Sequence, residues 1–423
     1  MRRLIYSVYL ARRSAWNRRG VLALVVFSIA ISTALLIGIE RTRAQARESF
    51  TQAVYGVDLV VGARGGDAQL IFYAIFHLGG ATNNMGYKSA KAIAAREDVA
   101  WTIPVSLGDS HKGYPVVATS GAMFERYRFR GDNTLRFANG KPFDDLYDIT
   151  IGSEAARRLG YALGDSVVLR HGSGAAVLAD HSDKPFTVTG ILAPTGTPVD
   201  RSLFISLEAM EAIHLNWRGG APIKGFDVAP EQARRFNLEP KSITALLVGL
   251  KDRTRVFSLQ REIGAYKDEP LSAVMPGVAM DQIWQTLSTG ERVLLLVGSL
   301  VTVTTLLGLI ATISAGLNER RRELAVLRSC GAKPFDIAIL LLSEGMILVT
   351  IGIATGVAAI DVATLLLGPA ILDAYGIAFE LGLPRAGEWI IMAAVAAAGV
   401  AAGMIPAIRA YRISLSDGLN VDR

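Results

Sequence analysis

Histidine is the residue type best suited to bind a metal or to move protons near neutral pH. The chain has five: His77, His111, His171, His181 and His214. None belongs to a His-Glu-x-x-His pattern or to another pair at ligand spacing, although His171 and His181 could approach each other across a hairpin. We therefore predict surface or core histidines and no metal site. No serine lies in a Gly-x-Ser-x-Gly elbow, and the single cysteine, Cys330, excludes a disulfide and a cysteine-rich metal cluster. We expect neither a cofactor nor an enzyme site.

Phosphate binding by a P-loop needs Gly-x-x-x-x-Gly-Lys-Ser/Thr, because backbone amides and a lysine must surround the phosphates. The chain contains no such sequence. The glycine-rich stretch 62–66 leads into no phosphate-binding pattern, so it predicts a turn or a bulge. If ATP drives this protein, another polypeptide must hydrolyse it.

A dense charge cluster, in which arginines alternate with glutamates and leucines, occupies a short stretch near residue 325. The pattern predicts a short amphipathic helix. It either docks on a partner protein or serves as a topology signal that contacts phospholipid headgroups. Acidic residues contribute little to topology, so the interleaved glutamates favour docking. The candidate docking residues are Glu319, Arg320, Arg321, Arg322, Glu323, Leu324, Leu327, Arg328 and Gly331.

Glu344 is an ionisable residue inside an apolar run that begins at Phe335. Helical rise places it ~14 Å into a bilayer. A charge at that depth is expensive, so Glu344 is a candidate functional residue that faces a protein interior. The alternative is a neutral glutamic acid hydrogen-bonded to a serine or to the backbone, for instance near Ser343 or Thr304. Asp361 lies nearer the outer surface of the bilayer, and we predict that it is at a solvated helix end.

The composition indicates a membrane protein: hydrophobic residues make up 51% and charged residues 19%, against about 25% charged residues in soluble domains. The first apolar run has 19 residues without a charge and reaches ~28 Å as a helix, enough to cross a hydrocarbon core. The charged residues 40–43 follow it directly, where a cleaved signal peptide would have small residues. Small residues in the last run would let helices approach closely. The predicted transmembrane helices are 21–39, 293–316, 335–367 and 389–408.

The Lys and Arg bias of the short flanking segments predicts the orientation. Three basic segments belong inside: the amphipathic N-terminal segment 1–20 on the inner leaflet, the loop 317–334 and the tail 409–423. The short loop 368–388 has one arginine against three acids and belongs outside with residues 40–292. Residues 41–290 hold 28 Lys+Arg and 26 Asp+Glu, so the net charge of +6 reflects topology and not nucleic-acid binding. We predict a multi-pass protein of the cytoplasmic (inner) membrane with both termini in the cytoplasm.

The outside segment alternates short β-type runs with helical ones, which predicts an α+β domain of one or two lobes, inserted between helices 1 and 2 of an α-helical membrane protein. Two stretches at its ends, 40–53 and 280–292, predict stalk helices that continue the neighbouring spans. The predicted strands are Asp58–Val61, Ala100–Val105, Pro115–Thr119, Ser166–Leu169, Phe186–Leu192, Leu203–Ser206 and Thr244–Val248. The predicted helices are Ala68–His77, Ser89–Arg96, Ser153–Leu159, Leu207–His214 and Thr254–Ala265.

Several motifs resemble those of the MacB/FtsX/LolC-type ABC transporter permeases. The most specific is Asn318–Ala332, which is similar to the family's "RRREIAVLRAIGA" loop, with Cys330 where an aliphatic or small residue is usual. The stretch Ile149–Asp165 resembles "A..LG...GD", Phe186–Leu192 resembles "F.V.GI", and Ile405–Leu415 resembles the family's terminus. The segment from Val60 to His77 looks like a distinct branch, so the substrate is not implied.

The resemblance implies a permease subunit that couples ATP hydrolysis by a separate ABC ATPase to export, extraction or mechanotransmission. The alternative is an FtsX-like signalling subunit that activates an envelope hydrolase. The implied partners are the ATPase, membrane lipids, and a periplasmic adaptor, binding protein or lipoprotein, with no nucleic acid. The implied assembly is a homodimer, or else a heterodimer with a paralogue, in which residues 319–331 couple to the ATPase.

Overall fold

The structure is a computed structural model that describes residues 19–53, 55–79, 83–172, 179–218, 221–223, 228–319, 324, 328–329, 331–375 and 382–412. These residues form two compact units. The first, here the helical unit, contains most of the long apolar helices. The second contains Ala46–Thr286, which we call the sheet domain. The predicted N-terminal amphipathic segment lies almost wholly outside the described residues.

The elements are numbered here in chain order. The α-helices are α1 (Arg19–Ala53), α2 (Asp67–Ala74), α3 (Tyr87–Ala94), α4 (Ala122–Arg126), α5 (Ser153–Leu159), α6 (Leu207–Ile213), α7 (Pro230–Ala233), α8 (Val256–Gly264), α9 (Pro276–Glu319), α10 (Pro334–Tyr375) and α11 (Ala386–Arg412). The strands are β1 (Leu59–Ala63), β2 (Met85–Gly86), β3 (Val99–His111), β4 (Tyr114–Thr119), β5 (Arg128–Phe129), β6 (Asn133–Thr134), β7 (Phe137–Gly140), β8 (Asp148–Ile151), β9 (Ser166–Val167), β10 (Arg170–His171), β11 (Ala179–Asp180), β12 (Phe186–Leu192), β13 (Leu203–Ser206), β14 (Trp217–Arg218), β15 (Ala221–Pro222), β16 (Ser242–Ile243), β17 (Ala245–Leu250) and β18 (Leu271–Val274).

Four helices, α1, α9, α10 and α11, are long and apolar enough to cross a membrane. Each contains one of the four predicted spans, and each is longer than the span. The 44 residues of α9 correspond to ~66 Å at helical rise, about twice a bilayer core. The chain therefore has the architecture of a multi-pass membrane protein whose helices continue beyond their apolar segments.

Close packing between α1 and α10 depends on two glycines in a Gly-x-x-x-Gly spacing. A Cβ atom added to Gly356 would lie 2.6 Å from the carbonyl oxygen of Ala30, and one added to Gly352 would lie 2.5 Å from Cγ2 of Ile29. Small residues at this spacing let membrane helices approach to backbone contact. The sequence prediction placed such packing only on the fourth span.

The sheet domain is built on a 12-stranded sheet with the main strand order β18-β1-β17-β3-β4-β13-β8-β12-β7. Its pairs are antiparallel, apart from the parallel pairs β4/β13 and β8/β12. Two apolar clusters cover its two faces, and successive residues of a strand enter them alternately. In β13, for example, Leu203 and Ile205 belong to one cluster and Phe204 to the other. Ala46–Thr286 falls within one compact unit.

Strand β3 has 13 residues, about twice the length predicted for it, and contains a bulge. Its pairing with β4 shifts register between Leu107 and Asp109, so that Gly108 has no partner. A bulge changes the direction of the side chains that follow it. This bulge therefore determines where Asp109 points.

Candidate functional site

The described part of the predicted docking stretch is Glu319, Leu324, Arg328 and Gly331, and the other candidates, Arg320–Glu323 and Leu327, lie outside the described residues. Leu324 is buried in the apolar core of the helical unit, in the same cluster as Leu317 and Ile337. Gly331 has φ +95°, a conformation that favours glycine, and donates its N–H to the carbonyl of Arg328. Leu324 thus anchors the stretch to the helices, and the docking role stays a prediction.

Glu344 is buried in α10, and its functional role stays a prediction. The hydroxyl groups of Ser343 and Thr304, the two partners suggested by the sequence, donate hydrogen bonds to backbone carbonyls of their own helices. Ser343 Oγ donates to the oxygen of Leu340 over 2.8 Å, and Thr304 Oγ1 donates to the oxygens of Leu300 and Val301.

A buried ion-pair network in the helical unit connects three helices. Arg41 of α1 lies with its Nη2 2.9 Å from Oε2 of Glu388 in α11 and its Nη1 2.7 Å from Oδ1 of Asp361 in α10. The side chains of Arg41 and Glu388 are 6% and 3% exposed, whereas that of Asp361 is 38% exposed. The side chain of Asp361 is partly exposed, as predicted, but the prediction of a helix end there was wrong, because α10 continues to Tyr375.

Three of the five histidines converge on one carboxylate in the sheet domain. Candidate ligand atoms of Asp109, His171, His181 and His214 all lie within 4.8 Å of one another. We call these four residues the His–Asp cluster. Asp109 and His181 are fully buried, and the side chains of His171 and His214 are 22% and 23% exposed. Sequence spacing gives no reason to connect all four residues, although it allows His171 and His181 to approach each other across a hairpin.

Four separate elements bring these side chains together. Asp109 follows the bulge in β3, and His171 of β10 is its direct partner across the sheet, so both side chains lie on the same face. His181 follows β11 and donates its backbone N–H to the carbonyl of Leu169. His214 is the first residue after α6.

The polar contacts of the cluster centre on the Asp109 carboxylate. Oδ1 lies 2.9 Å from His171 Nδ1 and 3.6 Å from His214 Nε2, while Oδ2 lies 3.8 Å from His181 Nε2. Burial raises the pKa of Asp109, but the three imidazoles outweigh it and hold this pKa well below the ordinary value of a carboxyl group. Burial lowers the pKa of His214, and the contact with Asp109 outweighs it, so the net direction is upward.

Trp217 covers one side of the cluster. Its ring centroid lies 4.7 Å from that of His171, 4.9 Å from that of His181 and 5.3 Å from that of His214. The indole thus shields the polar atoms from water on this side, and it is placed to report on them by its fluorescence.

The remaining two histidines are core residues, as predicted. His77 is buried and has its Nδ1 2.8 Å from Ser202 Oγ, and burial lowers the pKa of His77 to about 4. His111 contacts the carbonyl of Val168 through Nδ1 and the hydroxyl of Tyr161 through Nε2.

Four apolar helices together with an α+β sheet domain define a class of multi-pass membrane proteins with one large folded domain. Two family models match this chain: the MacB-like periplasmic core domain over residues 21–266 and the FtsX-like permease C-terminal over residues 295–415. The first covers more than half of the chain. The chain belongs to the FtsX-like ABC transporter permeases with a MacB-like periplasmic core domain, which confirms the resemblance noted in the sequence.

Solved structures show weaker similarity. The periplasmic region of MacB from Actinobacillus actinomycetemcomitans is 11% identical, with a TM-score of 0.34, and the match covers 56% of this chain and 97% of that chain. The extracellular domain of the noncanonic ABC-type transporter YknZ from Gram-positive bacteria is 9% identical, with a TM-score of 0.30, over 52% of this chain and 98% of that chain. No curated protein sequence matches the chain.

Proposed function

We propose that this chain is the permease subunit of an ABC transporter in which a separate ATPase drives movement of the sheet domain for export, extraction or mechanotransmission. Family membership supports the transporter class. The observation that carries the mechanical part is that α1 and α9 each continue without a break from an apolar segment into residues of the sheet domain.

The two helices contact each other within the helical unit. Ser32 Oγ lies 2.6 Å from Thr302 Oγ1, and Arg43 Nη1 lies 3.0 Å from Glu291 Oε1. A Cβ atom on Gly298 would lie 2.6 Å from Cδ2 of Leu36, so the helices approach closely there. A displacement of one helix would therefore be shared with the other.

The same two helices also contact each other within the sheet domain. The ring centroids of Phe50 in α1 and Trp284 in α9 are 5.6 Å apart, and Phe50 also packs against Phe76 at 4.6 Å. Tyr127 donates its hydroxyl to the carbonyl of Ala53 over 2.8 Å. The ends of both helices are thus held by the core of the domain that they would move.

In this proposal the protein lies in the inner membrane, with both termini and residues 317–334 in the cytoplasm. Residues 319–331 dock on the ATPase. Residues 40–292 lie outside. The chain acts as a dimer, and the partner outside the membrane is an adaptor, a binding protein or a lipoprotein.

The direct test is a flexible Gly-Ser insertion after Arg47, since such a linker behaves as a random coil and transmits no thrust. The permease is purified with its ATPase, and hydrogen exchange of residues 46–286 is measured with and without trapped nucleotide. We expect the insertion to leave assembly and ATP hydrolysis intact and to abolish the nucleotide-dependent change in exchange. The matched control places the same insertion after Gly113, an exposed turn between β3 and β4.

Two other outcomes would count against the proposal. If the nucleotide-dependent change persists with the insertion after Arg47, the force does not pass through α1. Assembly is tested separately with Arg321→Glu and Arg322→Glu together, against Arg409→Glu and Arg412→Glu as a control of equal charge. If the first pair does not weaken copurification of the ATPase more than the second, the predicted docking stretch is not the contact.

A further inference from the structure

We infer that the His–Asp cluster is a binding site for one divalent transition-metal ion, and that its ligand set fits Zn²⁺. This inference does not depend on the transport proposal. Three imidazoles and one carboxylate converge in the sheet domain, and each offers one ligand atom. Four protein ligands is the usual coordination number of zinc in structural sites.

The ligand atoms lie close enough together to surround one tetrahedral ion. At Zn–N and Zn–O distances of about 2.0–2.1 Å, the edges of a tetrahedron are ~3.3 Å. His171 Nδ1 lies 3.0 Å from His214 Nε2 and 2.9 Å from Asp109 Oδ1, and His181 Nε2 lies 3.8 Å from Asp109 Oδ2. These three distances lie on either side of the edge length, and all four ligand atoms lie within 4.8 Å of one another, so binding of one ion would require the side chains to move closer together.

Two buried polar atoms of the cluster lack a hydrogen-bond partner among the described residues: Asp109 Oδ2 and His181 Nε2. A buried polar atom without a partner costs free energy, and native proteins leave few of them. These two atoms lie 3.8 Å apart, too far for a hydrogen bond with each other. A metal ion between them would satisfy both at once.

His214 is already oriented as a ligand. Its Nδ1 lies 2.8 Å from the carbonyl oxygen of Met210, which can only accept, so Nδ1 carries the proton. In the neutral ring that binds a metal, the lone pair of Nε2 then points into the cluster. A hydrogen bond from the second ring nitrogen to a backbone carbonyl is the usual support of a metal-binding histidine.

The ligand types select among ions. Imidazole nitrogens suit Zn²⁺, Cu²⁺, Ni²⁺ and Fe²⁺, whereas Ca²⁺ and Mg²⁺ prefer oxygen ligands, and Cu⁺ prefers sulfur. Zn²⁺ accepts a tetrahedral arrangement without a preference from its d electrons. The partial exposure of His171 and His214 leaves a path for the ion to enter, while Trp217 closes the other side.

A bound ion would connect the β10–β11 hairpin and the end of α6 to strand β3 of the sheet. The hairpin of β10 and β11 contributes His171 and His181, and the end of α6 contributes His214. All three would be attached to β3 through Asp109. We expect metal binding to raise the Tm of the protein, because an ion that binds the folded state alone stabilises it.

The test uses the full-length chain in detergent, purified through a tag without histidines and dialysed against EDTA and then metal-free buffer. Titration with ZnCl₂ is followed by calorimetry and in parallel by the intrinsic tryptophan fluorescence, and Trp217→Phe shows which part of that signal comes from Trp217. We expect one Zn²⁺ per chain, and with Co²⁺ visible absorption bands of tetrahedral intensity. His171→Gln and His214→Gln, both at partly exposed positions, should each weaken zinc binding at least about tenfold, since loss of a supporting group alone costs that much.

Matched controls are His77→Asn, a buried histidine outside the cluster, and Asp180→Asn, an exposed carboxylate on the same hairpin that pairs with Arg170. Both should bind zinc as the unaltered protein does. The inference is overturned if the metal-free protein takes up no Zn²⁺, if the two glutamine variants remain monodisperse and bind it with unchanged affinity, or if the Co²⁺ spectrum is octahedral.

Discussion

Replacement of Arg41 by methionine should destabilise the helical unit strongly, because it leaves the carboxylate of Glu388 buried without its partner. Arg41 contacts Glu388 through two nitrogens, at 2.9 and 3.3 Å, and the two side chains are 6% and 3% exposed. Removal of one partner from such a pair costs about 3–5 kcal/mol. Asp361 is 38% exposed, so Asp361→Asn should cost no more than about 1 kcal/mol.

The double variant Arg41→Met with Glu388→Met separates two free energies: the cost of burying the Glu388 carboxylate without a partner, and the net contribution of the ion pair to stability. A well-packed apolar replacement of a buried ion pair is often neutral, so we expect the double variant to recover most of the stability that Arg41→Met loses. Unfolding of the full-length protein in mixed micelles, followed by circular dichroism as SDS increases, gives the four corners of the cycle. If Arg41→Met unfolds within about 1 kcal/mol of the unaltered protein, or if the double variant is no more stable than the single one, the buried network does not hold these helices together.

Two further predictions concern single positions. Gly356→Ala should cost about 1–3 kcal/mol by overpacking against the backbone of α1, whereas Gly308→Ala, with open space around it, should be neutral or gain up to ~1 kcal/mol of helix propensity; equal unfolding curves for the two variants would contradict the packing described. His77 has a pKa lowered by burial to about 4 from 6.5, so the folded state favours neutral histidine, and its contribution is complete above pH 6.5 and lost as the pH falls toward 4, by ~3 kcal/mol. His77→Asn, which tolerates the positive φ of this position, should flatten the dependence of Tm on pH in that window, and an unchanged slope would count against a buried neutral His77.

Elements with complete local signals were predicted closely. The strands Phe186–Leu192 and Leu203–Ser206 and the helix Ser153–Leu159 agree with the structure residue for residue. In Phe186–Leu192 alternate residues are buried, and the helix ends at Gly160, which has φ +72° as a helix C-cap. These features depend on neighbours in sequence, so sequence alone determines them.

The polar sites depend on contacts that no local pattern records. His171 lies on a strand of only two residues, and Asp109 reaches it only because β10 pairs with β3 after the bulge. The order of strands was not predicted, so the convergence could not be predicted either. The sequence does offer one signal, the hairpin spacing of His171 and His181. Two histidines alone do not define a metal site, and the sequence does not show that His214 lies beside them.

The pairing of Phe50 with Trp284 has a consequence for how such a domain could be exchanged between proteins. Because the first and last helical segments of the sheet domain lie side by side, the domain begins and ends at neighbouring points, which is the geometry that lets a folded unit be inserted into a host chain. Residues 46–286 could therefore be transferred as one unit onto the corresponding pair of helices in another permease. They could also be replaced by a short linker without a change in the connectivity of the other helices. The boundary for such chimaeras would fall near Ala46 in α1 and Thr286 in α9.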